Sequence, residues 1–96
     1  MKFVWDIEKE KNNIHKHKVT FSEAGYIFAD KYSLTMFDNE HSDEEDRWLT
    51  LGLAPSGKIL VVAHTYRKVD DTELVRIISA RKATKSESKQ YFGRRK

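Results

Sequence analysis

Residues 47–82, RWLTLGLAPSGKILVVAHTYRKVDDTELVRIISARK, decide how this chain folds. Arg47 to Leu53 alternates, with Leu49, Leu51 and Leu53 on one face and Trp48 and Thr50 on the other, the period of a strand with unlike faces. Pro55-Ser56-Gly57 reads as a turn, so Lys58 to Tyr66 is expected to return antiparallel as the second arm of a hairpin. Lys68 to Asp71 makes another turn, and Glu73 to Arg81 a further strand. Val75, Ile77 and Ile78 leave that strand nearly apolar throughout, which suits a central place in a sheet. Strict alternation puts residues 77, 79 and 81 on one face and 76, 78 and 80 on the other.

The pattern changes on either side. Upstream, Lys2 to Trp5 reads as a short first strand with Phe3 and Trp5 on one face. Asp6 can cap a helix over residues 7–17, with Glu8 and Glu10 at its positive end and Lys16, His17 and Lys18 at its negative end. Its apolar stripe, Ile7 and Ile14, is thin, so the helix is expected to be largely exposed. Thr20-Phe21-Ser22-Glu23 fits a capping box ahead of Ala24, Ile27 and Phe28, and this second helix ends at Asp30 and Lys31. Ser33 to Phe37 is a strand. Downstream, Thr84-Lys85-Ser86-Glu87 is a second capping box opening a helix to about Phe92, with Gly93 as its stop. The order β-α-α-β-β-β-β-α indicates an α+β fold: a mostly antiparallel sheet of four to five strands, packed on helices on one face and open for binding on the other.

Ninety-six residues without repeat, linker or low-complexity tract suggest a single domain over 1–96. The absence of Cys excludes disulfides, thiol catalysis and cysteine zinc sites. The longest apolar run, Ile59 to Ala63, is far short of the ~20 residues a membrane span needs. Lys2, Asp6 and Glu8 interrupt any signal-peptide core, so the expected location is the cytoplasm, with no membrane partner. Charge is segregated. Residues 38–46 (DNEHSDEED) hold six acids and no Lys or Arg, whereas residues 76–96 hold eight Lys and Arg against Glu87 alone. Such runs often only solvate a surface, but a basic region of this kind also attracts phosphates.

The candidate chemistry narrows by residue type. His15 and His17 point about 200° apart on a helix and make a poor metal pair. His41 lies among acids with neither calcium-loop nor zinc spacing, so no metal site and no cofactor are expected. His64, near the end of a strand beside Thr65, Tyr66 and Arg67, reads either as a structural histidine or as one presented at the sheet rim. Arg76, embedded among Val75, Ile77 and Ile78, must reach an open face or meet an acid such as Glu44, Glu45 or Asp46. Arg81 is either solvated or half of a guanidinium cluster for phosphate. Tyr91 and Phe92 share a helix with Lys85 and Lys89, where an aromatic either packs on the sheet or stacks a base. No phosphate loop, trustworthy Ser/His/Asp order or paired carboxylate is present. His, Arg, Lys and Tyr remain, and these can cleave RNA without a metal: one takes the 2′-OH proton, cations stabilise the charged transition state, and an acid protonates the leaving oxygen.

Taken in order, the motifs resemble those of the BrnT family of ribonuclease toxins from bacterial type II toxin–antitoxin modules. The carriers are Phe3-Val4-Trp5-Asp6, Asn13 to His17, Val19-Thr20-Phe21 with Ala24 and Phe28, and His41-Ser42 with Glu45 and Arg47. The most specific are Val61-Val62-Ala63-His64-Thr65, then Arg76 to Thr84, then Glu87 and Tyr91. The resemblance covers nearly the whole chain; the Pro55 turn and the Lys68–Asp71 loop depart from it.

It implies a RelE-like sheet flanked by two N-terminal helices and a C-terminal helix, metal-independent endoribonuclease activity and growth arrest. It also implies a neutralising BrnA-type antitoxin whose ribbon-helix-helix dimer binds operator DNA, with a heterotetramer as the complex; operator DNA is reached only through that partner. The carried-over catalytic residues are His64 as base or acid, Arg76 and Arg81 on the phosphate, and Tyr91 for proton transfer or stacking. Arg67, Lys82, Lys85 and Lys89 are the expected RNA-binding cations. A basic surface facing the antitoxin would make their association salt-sensitive. The alternative reading is a non-catalytic module that binds antitoxin or RNA through the same basic surface. DNA binding by this chain alone is disfavoured by the lack of a helix-turn-helix pattern.

Overall fold

The computed structural model describes residues 1–94; Arg95 and Lys96, counted in the basic block, lie outside them. Strand β1 (Lys2–Val4) leads to helix α1 (Ile7–His17) and helix α2 (Phe21–Tyr26), which tightens into a 3₁₀ turn over Ile27–Ala29. Strands β2 (Leu34–Phe37), β3 (Trp48–Leu53), β4 (Ile59–Val69) and β5 (Thr72–Lys82) follow, and helix α3 (Lys85–Arg94) comes last. The sheet order is β1-β5-β4-β3-β2, with β1 parallel to β5 and the other pairings antiparallel.

Local chemistry accounts for the element ends. Asp6 accepts the N–H groups of Glu8 and Lys9 at 2.8 and 3.2 Å, capping α1 as its sequence predicts. Thr20 accepts the Glu23 N–H, but Glu23 turns its own carboxylate to the Ser56 hydroxyl, so the first capping box is half formed. The second is complete: Thr84 and Glu87 each accept the other's backbone N–H. Gly93 does not stop α3, which runs through it to Arg94. The β4–β5 turn is tight, with Asp70 and Asp71 both at positive φ, the two-residue geometry that matches strand twist.

The helices do not all lie on one face of the sheet. On one face, α1, α2 and the 3₁₀ turn cover a core of Val19, Phe21, Ala24, Ile27, Leu60, Val62, Ile77 and Ala80. On the other, Tyr91 of α3 packs with Leu51, Ile59 and Val61. Register explains the division: Leu51 and Val61 are cross-strand neighbours pointing one way, and Thr50 and Val62 point the other. Close approach also requires a glycine. A Cβ on Gly52 would sit 2.8 Å from Ile27 Cβ and 3.1 Å from the Ile27 carbonyl oxygen, so only glycine lets the 3₁₀ turn lie against β3.

Strand β5 pairs with β1 only at Leu74 to Arg76, which leaves its far end short of a partner. Asn13 of α1, buried at that edge, fills the gap. Its amide donates to the carbonyls of Val19 (2.9 Å) and Ala80 (2.8 Å), and its Oδ1 accepts the Ala80 N–H at 3.0 Å.

Candidate active site

A β-bulge decides which side chains meet. Ala63 pairs with Ser79 but His64 pairs with Ile77, so Ile78 is an extra residue in β5. The strict alternation expected for this strand therefore fails. Val75, Ile77 and Ala80 face the two-helix core, whereas Arg76, Ser79 and Arg81 stand on the α3 face. The two arginines are five positions apart, and in an unbroken strand they would point to opposite sides. Arg67 on β4 joins them on the α3 face.

Each β5 arginine holds a carboxylate. Arg76 Nη2 donates to Glu45 at 2.6 Å, so the acidic segment between β2 and β3 reaches across to β5, one of the acids its sequence position suggested. Arg81 is neither simply solvated nor bare. Its two terminal nitrogens donate to the two oxygens of Glu87 at 2.8 and 3.0 Å, a bidentate fork. That hydrogen bonding holds the Glu87 carboxyl at about 2, well below its ordinary 4.5, and raises the Arg81 guanidinium.

His64 sits away from these groups. It lies mid-strand, fully buried on the two-helix face, with its ring edge-on to Phe28 and to Tyr66. The rim position conceivable from sequence is ruled out because β4 continues five residues further, to Val69. His64 Nε2 and the Thr50 hydroxyl are 2.7 Å apart, and the Thr50 and Thr35 hydroxyls are 2.7 Å apart, a chain across three strands. Among the described residues Nδ1 has no partner, which favours the tautomer with the proton on Nε2, because a bare lone pair costs less than a bare N–H. Burial pushes the imidazole down to about 4, so it is neutral near pH 7.

Tyr91 is fully buried, and its hydroxyl donates to Asp30 at 2.5 Å. Asp30 also accepts the N–H groups of Leu53 and Tyr32, so it ties α3, β3 and the end of the 3₁₀ turn together. Lys85 and Lys89 are exposed on α3, and Lys82 is exposed on the two-helix side by register. The structure thus brings Arg67, Arg76 and Arg81 to one face and places His64 and Lys82 on the other. Glu45, which residue-type reasoning treated only as an ion-pair partner, joins the arginines on the α3 face; its signal was its place in an acidic run facing an arginine with nowhere else to go. Among the described residues no group of His, Asp and Glu has the arrangement of a metal site.

Elsewhere, an open apolar hollow of about 540 Å³ lies between β1 and α2, lined by Phe3, Trp5, Phe21, Tyr26 and Phe28. Among the described residues no helix is long and apolar enough to cross a membrane.

Against known proteins, a family model described as ribonuclease toxin, BrnT, of type II toxin–antitoxin system matches residues 5–87. No curated protein matches the chain. The crystal structure of the Brucella abortus ribonuclease toxin BrnT is similar in fold, with a TM-score of 0.61 at 24% sequence identity, covering 88% of this chain and 99% of that one.

Proposed function

The chain belongs to the BrnT family of ribonuclease toxins of type II toxin–antitoxin systems, and from that membership we propose that it cleaves RNA on the α3 face of its sheet without needing a metal ion. The observation that carries this reading is the bulge at Ile78, which sets Arg76 and Arg81 on one face beside two carboxylates. Two guanidiniums so placed can bind a phosphodiester and spread the charge of the pentacoordinate transition state, the work a divalent cation does elsewhere.

Glu45 is the proton acceptor that this face offers. It is half exposed beside Arg76, whereas Glu87, held at about 2, is too weak a base. The 2′-hydroxyl gives its proton to Glu45 as its oxygen attacks phosphorus. The bond from phosphorus to the 5′-oxygen then breaks, leaving a 2′,3′-cyclic phosphate, and the 5′-oxygen takes a proton from water. His64 and Tyr91, both enclosed, act as positioning residues that hold β4 and α3 in place. Arg67, Lys85 and Lys89 guide the RNA backbone; Lys82 extends the cationic end of the molecule.

Growth arrest follows from such cleavage. Family membership supplies an antitoxin partner, which we take to be of the BrnA type, dimeric through a ribbon-helix-helix portion, giving a heterotetramer that binds operator DNA through the antitoxin. The test is a gel assay of the purified protein on single-stranded RNA in excess EDTA, with Arg81→Ala and Glu45→Gln alongside. Cleavage by the wild type and a loss of about 10²–10⁴-fold in each folded variant is the expected result. Abolition by EDTA, or full activity of folded Arg81→Ala, overturns it.

A further inference from the structure

Between α3 and the sheet lies a cleft of about 190 Å³ that the arginines and Glu45 leave unused. Its floor is apolar: Met36 on β2, Leu49 and Leu51 on β3, and Val61 on β4, all on the α3 face by register. Its wall is polar, made by Glu87 and Gln90, three apart on α3 and therefore on the helical face that Tyr91 clamps to the sheet. The volume suits one flat ring system, and the polar groups stand at the edge of an apolar floor, the arrangement by which proteins hold an unstacked base.

The polar groups at that edge have capacity to spare. Glu87 accepts three hydrogen bonds, from two Arg81 nitrogens and from the Thr84 N–H. A carboxylate has about four acceptor positions, so one remains. The amide of Gln90 makes no hydrogen bond within the described residues and is exposed, offering both a donor and an acceptor. Arg81 stands at the rim through its pair with Glu87 and neighbours Val61 across the strands. A phosphate on Arg81 would therefore carry its own base over the cleft.

We infer that this cleft is a nucleobase subsite, in which the base attached to the phosphate on Arg81 lies on Leu49, Leu51 and Val61 and has its edge read by Gln90 and Glu87. The inference rests on the cleavage face proposed above. An anionic acceptor beside an amide favours bases whose exocyclic amine faces it: adenine, guanine and cytosine can donate that amine to Glu87, while uracil offers only its N3–H and sets its O4 acceptor against the carboxylate. Gln90 is thus a specificity-determining residue, and Met36, at the open side, sets how deep a base can enter.

Two measurements separate this inference from the reading beneath it. The first is a titration of isotope-labelled protein with the four nucleoside 5′-monophosphates and with ribose 5-phosphate, followed by NMR at the Gln90 side-chain amide. Saturable shifts at Gln90 and at the Leu49, Leu51 and Val61 methyls with the adenine, guanine and cytosine nucleotides, weaker with uridine and absent with ribose 5-phosphate, are expected. Met36→Trp, which fills the cleft from a half-exposed position, removes these shifts and keeps those at Arg81. Shifts confined to Arg81, or the same with ribose 5-phosphate, overturn the subsite whether or not the protein cleaves RNA.

The second measurement maps cleavage ends on a mixed-sequence RNA for wild type and Gln90→Ala. Base preference at one position beside the scissile bond should change by about tenfold. An unchanged map from an active Gln90→Ala protein overturns the subsite and leaves the ribonuclease reading intact. A wild type that cuts nothing counts against that reading and leaves the titration to decide the subsite.

Discussion

Burial keeps His64 neutral, and this makes the fold sensitive to acid at one residue. The unfolded chain takes up a proton at this side chain near its ordinary 6.5, the folded chain only at about 4. Between those values the unfolded state binds more protons, so stability is full above about pH 6.5 and falls as the pH is lowered toward 4. Glu87 acts in the next window. Its folded value of about 2 lies below its ordinary 4.5, so the support from its pair with Arg81 is full above 4.5 and lost on the way to 2. An NMR titration of the His64 ring should show a midpoint near 4, and a midpoint near 6.5 would mean the ring is not enclosed. Urea midpoints should fall in both windows, and Glu87→Gln should flatten the lower one alone. The sequence marked His64 as notable and left its burial open, because a histidine after an apolar run is equally consistent with a strand end and with a strand interior. What settles the matter is Phe28, which reaches it from a different element.

At the scale of elements, two small residues hold separate pieces in register. Asn13 takes over the hydrogen bonds that β1 is too short to make to β5, so Asn13→Ala strands a buried N–H and two carbonyls. A loss of about 2–4 kcal/mol in chemical unfolding is expected; a change within the scatter of surface mutants would mean water substitutes freely. Gly52→Ala should cost about 1–3 kcal/mol, because the new methyl meets Ile27 Cβ and backbone that cannot retreat without moving the 3₁₀ turn. A stability equal to wild type would show that the turn yields. Neither role was legible in sequence. Each acts on a partner distant in the chain, Asn13 on β5 and Gly52 on the 3₁₀ turn, and no neighbouring residue marks that partner. The bulge at Ile78 is a similar case. Alternation through Val75-Arg76-Ile77-Ile78-Ser79 suggests no interruption, and only pairing with β4 shows that one residue is surplus.

For the molecule as a whole, the two sides of the sheet divide the work. The α3 face carries Arg67, Arg76 and Arg81 and is the one proposed above to take RNA. The opposite side carries the apolar hollow with exposed Tyr26 and Met1 at its rim, a patch of the kind that marks a protein partner. If the antitoxin buries this hollow, Tyr26→Asp should weaken toxin–antitoxin binding at least tenfold, measured by calorimetry, and leave RNA cleavage unchanged. If it covers the arginines instead, binding will fall steeply with salt and Tyr26→Asp will have no effect.

The elements, their order and the family are written in the amino-acid sequence. Periodicity, caps and turns are short-range properties, and α1 spans Ile7–His17 as its Asp6 cap and charge pattern require. The mostly antiparallel sheet with β5 inside it was equally readable, because hairpin turns and continuous apolarity are written in neighbouring residues. Which face each candidate side chain occupies is set by the packing of distant segments. That depends on a bulge, on α3 crossing to the other side of the sheet, and on Glu45 reaching β5 from a loop thirty-one positions away. Each is a contact between segments far apart in the chain, and local pattern carries no record of such distances.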